Sequence, residues 1–122
     1  MRFLMFVCVD PTPDRIPANA TTATALAGPP MDIDDWVEDV DRRGVRVIGN
    51  ELAPADQTVA VRVRDGATLR TDGPFPEAHE MIAGFDILEC ADLDEAIELA
   101  RRHPMAHRGA LELRPFRSLT DA

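Results

Sequence analysis

Hydrophobic positions open the chain as an unbroken run, Phe3 to Val9, which Asp10-Pro11 ends. A run of that length and composition predicts a central strand covered on both faces. Pro11, Pro13, Pro17 and Gly28-Pro29-Pro30 then bracket a Thr- and Ala-rich stretch with few large apolar side chains, so residues 11–31 read as one long loop. Ile33, Trp36, Val37 and Val40 recur at three- and four-residue spacing behind Asp32 and Asp34, either of which can cap, and Arg42-Arg43 precede Gly44. This predicts an amphipathic helix with Trp36 on its apolar stripe.

Val45 to Ile48 predicts a second, short strand. Thr58 to Arg64 alternates, with Val59, Val61 and Val63 on one face and Ala60, Arg62 and Arg64 on the other; Asp65-Gly66 then supplies the positive-φ pair of a two-residue hairpin turn, and Ala67 to Thr71 returns. Met81 to Cys90 alternates again, Phe85 and Ile87 facing one way and Asp86, Leu88 and Cys90 the other. An acid on an otherwise apolar strand face needs a partner or water. Asp92-Leu93-Asp94-Glu95 is a capping signature for a second helix, which Pro104 stops; Leu111 and Leu113 mark a last strand, and residues 117–122 form a tail. The order strand, helix, strand, hairpin, strand, helix, strand is the split βαβ pattern of a ferredoxin-like α+β sandwich with an extra hairpin strand. Right-handed crossovers put both helices on one sheet face and leave the other open, for which a second copy of the chain is the simplest cover.

Composition narrows the function classes. A chain of 122 residues, 45% of them hydrophobic, fits one domain spanning 1–122. The net charge of −9, with scattered basic residues, is the wrong sign for a phosphate backbone, so no direct nucleic-acid binding is expected. No apolar run approaches the length of a membrane span, and the first begins too early for a secretory leader. With Cys8 and Cys90 inside apolar runs as reduced core thiols, the expectation is a cytoplasmic protein without a membrane partner. The histidines and acids lack the short spacing of a metal site, and no phosphate loop, nucleophile elbow or dinucleotide fingerprint occurs, so neither metal nor cofactor is expected.

The candidate chemistry centres on Thr71-Asp72-Gly73-Pro74-Phe75, a stiff turn that presents a carboxylate. Together with Glu77-Ala78-His79-Glu80-Met81-Ile82-Ala83-Gly84-Phe85, a helix closing on His103-Pro104, and Glu112-Leu113-Arg114-Pro115, it resembles the DGPF-type members of the YCII-related family. The resemblance is dense from Val45 to Phe116 and implies a dimeric α+β barrel, two sheets packed face to face with pockets between sheet and loops. It also implies that an Asp acting with a His confers enzymatic activity, and a competing regulatory role beside alternative sigma factors.

On this reading Asp72 is a base or an orienting acid and His79, seven residues on, a proton carrier whose pKa the carboxylate tunes. Arg62, Arg64, Phe75 and Asp86 are the candidate substrate-binding residues, with Arg62 or Arg64 holding a small anionic ligand. The alternatives are a structural Asx-turn cap for Asp72 and a solvated loop histidine for His79. Similar sequences more often carry Lys at position 79, and where another branch of the family has a histidine near the first helix this chain has Asp32, Asp34 and Asp35. His103 reads as a helix C-terminal cap. The functions left standing are a cofactor-free lyase- or isomerase-type enzyme, a non-catalytic regulatory or ligand-sensing homodimer joined through the open sheet face, and a dimeric scaffold whose motif is purely a folding corner.

Overall fold

The computed structural model, which describes residues 1–9, 15–22, 29–73 and 81–118, shows an α+β chain built on antiparallel sheets. Its elements are β1 (Arg2–Val9), α1 (Ile33–Arg42), β2 (Arg46–Glu51), β3 (Val59–Arg64), β4 (Ala67–Asp72), β5 (Met81–Glu89), α2 (Leu93–Arg102) and β6 (Ala110–Pro115). Four strands form the main sheet in the order β2-β5-β1-β6, while β3 and β4 pair with each other in a second sheet. The predicted hairpin is therefore a separate ribbon rather than an additional strand of the main sheet.

Local sequence explains the boundaries. Asp32 caps α1 by accepting from the Asp34 N–H, and Asp92 caps α2 by accepting from the Glu95 N–H at 2.9 Å, while Glu95 reaches back to the Ala91 N–H. Gly44, at φ 70°, ends α1: the Val45 N–H donates to the Val40 carbonyl and the Gly44 N–H to the Asp41 carbonyl, a Schellman arrangement with Val40 and Val45 buried. Asp65 and Gly66, at φ 51° and 76°, make the left-handed hairpin turn that their sequence predicts.

Register decides which sheet face is buried. Phe3 pairs with Leu88, Met5 with Asp86 and Leu113, and Val7 with Gly84 and Leu111. Phe3, Met5, Val7 and Leu88 join Trp36 and Val40 of α1 and Ala96, Leu99 and Ala100 of α2 in one core, so both helices pack on the same face. The opposite face carries Leu4, Phe6, Phe85 and Ile87, each only half-buried. β1 is thus central, as expected, but only its helix side is fully covered by the described residues.

Two hydrogen bonds tie the helices together. The Trp36 indole N–H donates to the Leu99 carbonyl at 2.9 Å, and the Met31 N–H donates to the Arg102 carbonyl at 3.0 Å. Both acceptors lie in the last turn of α2, where helix carbonyls lack partners within the helix. Among the described residues, no helix is long and apolar enough to cross a membrane.

Candidate functional site

Where the N-terminal end of α1, the turn after α2 and the β2–β5 edge of the sheet meet, they enclose a cavity of about 670 Å³. Val7, Met31, Trp36, Val37 and Met105 contribute apolar wall, and Arg46, Asp86 and His103 bring ionisable groups to the same space. Glu51, Asp32 and Arg108 complete the ionisable lining. A volume of this size, mostly apolar with a few convergent polar groups, is that of a small-molecule pocket.

Asp86 is the buried carboxylate, 6% exposed, on the helix-facing side of β5. Its Oδ1 accepts from Arg46 Nε at 2.8 Å. Burial pushes its carboxyl above the usual range, against the opposing pull of the Arg46 guanidinium. Oδ2 has no hydrogen bond among the described residues, yet no buried side-chain oxygen is left unsatisfied, so Oδ2 keeps access to open space. Asp86 therefore holds one oxygen fixed and offers the other.

Arg46 is committed on every nitrogen. Nε bonds Asp86, Nη1 reaches the Asp41 carboxylate at 3.4 Å, and Nη2 donates to the Gly49 carbonyl at 3.0 Å. Gly49 makes room for this cluster, because a Cβ built there would lie 1.9 Å from Asp86 Oδ1 and 2.9 Å from Arg46 Nη2. The glycine serves the carboxylate's position rather than a turn.

His103 is 3% exposed and follows the last turn of α2. Its Nδ1 accepts from the Met105 N–H at 3.0 Å, capping the 3-10 turn Pro104–His107. The acceptor role of Nδ1 leaves the proton of the neutral ring on Nε2. Nε2 has no partner among the described residues and is not an orphaned buried atom, so it keeps contact with open space, and the residue lines the cavity. Trp36 packs edge-on against the ring at 4.7 Å between centroids. Burial lowers the His103 pKa from 6.5 to about 4. The expected C-terminal cap is a cap of the following turn, made by a neutral ring rather than by a cation answering the helix dipole.

The other residues singled out in the sequence stand elsewhere. Asp72 ends β4, its side chain 74% exposed, and pairs with Arg70 Nε at 2.9 Å. Arg62 donates to Thr71 Oγ1 at 3.4 Å and Arg64 to the Val63 carbonyl at 2.9 Å. Val59 lies opposite Asp72 in the β3–β4 register, so Asp72 shares the valine face of the ribbon and the two arginines share the other. None of the three lines the cavity, whereas Asp86 does. His79 and Phe75 lie outside the described residues. Among the described residues no cluster of histidine, cysteine and acidic side chains could hold a metal ion.

Sequence reasoning singled out Asp86 as an acid in need of a partner and missed Arg46, Gly49 and the cavity-facing role of His103. The usable signal was the pairing of one acid on an apolar strand face with an arginine opening a strand that pairs with it. Fold and cavity together define a small α+β protein whose antiparallel sheet and two helices enclose a pocket holding a buried carboxylate, its guanidinium partner and a neutral imidazole. A profile of the YCII-related domain matches residues 19–120, and the chain belongs to the YCII-related family. It is similar to an uncharacterised protein of Rhizobium meliloti (strain 1021), 39% identical over 67 residues, which are 53% of this chain and 54% of that protein. The chain thus covers about half the length of that relative.

Proposed function

We propose that the cavity is a small-molecule site in which Asp86 and His103 perform proton transfer of a lyase or isomerase type. The observation that carries this reading is the state of Asp86: nearly out of water, gripped at Oδ1 by Arg46, unbonded at Oδ2, and lining the same cavity as His103. A carboxyl raised by burial is poised to take and return a proton nearer neutrality than a solvated one, and a neutral imidazole N–H can polarise an oxygen without surrendering its proton.

The strand order β2-β5-β1-β6 supports a ferredoxin-like reading of the main sheet, and the motif Asp72-Gly73-Pro74-Phe75 supports placement among the DGPF-type members. The half-covered face with Leu4, Phe6, Phe85 and Ile87 favours a homodimer joined there, which would give a dimeric α+β barrel. That same face favours a second reading, a regulatory or ligand-sensing dimer that binds in the cavity without turnover.

A thermal-shift screen of small molecules against the wild type, Asp86→Asn and Asp72→Asn tests the location of the site. Ligands that stabilise the wild type and Asp72→Asn but not Asp86→Asn place the chemistry in the cavity. Ligands lost with Asp72→Asn move it to the hairpin, where Asp72 would act with His79, Phe75 and the arginines Arg62 and Arg64. Turnover of a bound ligand separates the enzyme from the sensor.

A further inference from the structure

We infer that the cavity takes an uncharged small molecule with an apolar body and a carbonyl-type acceptor, the acceptor seated on the Nε2–H of His103. This rests on the cavity being the functional site and adds the class of ligand.

The inference comes from an inventory of charge. Arg46, the guanidinium nearest the buried carboxylate, is already paired with two carboxylates, Nε on Asp86 and Nη1 on Asp41, and Nη2 donates to the Gly49 carbonyl, so most of its charge is answered within the protein. The other cation in the lining, Arg108, is exposed. Three carboxylates, Asp32, Glu51 and Asp86, share the lining. An anion would enter a space where three carboxylates stand against two guanidiniums, one of them already paired, and would lose water for little net attraction. An anion held by Arg62 and Arg64 would instead bind on the hairpin, where those side chains stand.

A cation would be drawn to these carboxylates but would find no acceptor at the polar edge beside Trp36, which is an imidazole N–H donor. That edge wants an acceptor. The tautomer is fixed by geometry, since the Met105 N–H occupies Nδ1 and leaves the proton on Nε2. Around it the walls are Val7, Met31, Trp36, Val37 and Met105, which suit a hydrocarbon or ring body. The carbonyl oxygen of a ketone, lactone or amide meets this donor uncharged, and Asp86 Oδ2 opens on the same cavity.

Trp36 is the single tryptophan of the chain and lines the cavity, so its fluorescence reports occupancy. The test uses three probes of similar shape: cyclohexyl methyl ketone, cyclohexanecarboxylate and protonated cyclohexylamine. The expected result is a saturable change in Trp36 emission with the ketone, and none at equal concentration with the other two. His103→Asn, which keeps an acceptor for the Met105 N–H but withdraws the Nε2 donor, should weaken the ketone by about fivefold, the worth of one neutral hydrogen bond. If that variant fails to fold, a shift of the His103 Nε2–H resonance in the wild type on adding ketone gives the same answer.

Tighter binding of the carboxylate or the amine overturns the ligand class while leaving the cavity as the site. Ketone binding that ignores His103→Asn, or leaves the Nε2–H resonance unmoved, overturns the seat on His103. If no probe perturbs Trp36, the cavity reading fails and the ligand class fails with it.

Discussion

Gly49 and Asp86 occupy one volume between them. No positive φ is needed at Gly49, so its backbone would accept alanine; the obstacle is the carboxylate oxygen 1.9 Å from where the new carbon would lie. Gly49→Ala should displace Asp86 from Arg46 and cost about 3 kcal/mol, the scale of a broken buried ion pair. In an Asp86→Ala background the same substitution should cost much less, because the obstructing atoms are gone. Urea denaturation of the two single variants and the double variant gives the coupling. Additive losses would mean that Gly49 is needed for another reason.

The acid was visible from the alternation of β5, but its partner was not, for a reason that lies in the sheet. Regular alternation would place Arg46 and Ile48 on one face of β2. In the structure Arg46 pairs with Leu88 on the helix side while Ile48 pairs with Ile87 on the other, and the register shifts between them. An irregularity of this kind is set by what the strand packs against, which no local pattern records.

At the scale of elements, the end of α2 matters most. Its boundary was legible, since Pro104 stops a helix wherever it falls. The fate of His103 was not, because the ring is buried by Trp36 of α1, far away in sequence, and tertiary cover overrides the surface cap that local rules favour. Burial carries a pH consequence. A histidine whose pKa is 6.5 unfolded and about 4 folded binds its proton more tightly in the unfolded chain. Its contribution to stability is complete above pH 6.5 and drains away as pH falls towards 4, to a total of about 3 kcal/mol. Asp86, raised by burial, acts with the opposite sign: its contribution is complete below the carboxyl's unfolded pKa and is lost as pH rises through the folded one. The difference in stability between wild type and His103→Asn isolates the histidine, and should shrink by that amount between pH 7 and 4. A flat difference would show that the ring titrates normally.

For the whole molecule, the element order and the shared face of both helices could be read in advance, as could the hairpin turn at Asp65-Gly66. The ribbon's independence could not. Its Val59, Val61 and Val63 alternate as a half-buried strand should, yet all three are exposed, Val61 at 66%. A two-stranded ribbon with an apolar stripe is marginal by itself, so alternation here signals a surface awaiting cover rather than a layer of this chain's own core. The main sheet repeats the point on its open face. If a second copy covers that face, Ile87→Lys, which places a charge opposite Leu4, should halve the mass found by sedimentation equilibrium and leave the far-ultraviolet circular dichroism unchanged. An unchanged mass would rule this face out as the interface.

Met31 and Trp36 donate to carbonyls at the end of α2 and also wall the cavity. A guest therefore leans on the same bonds that finish the second helix. That side of the chamber is therefore a fixed jamb.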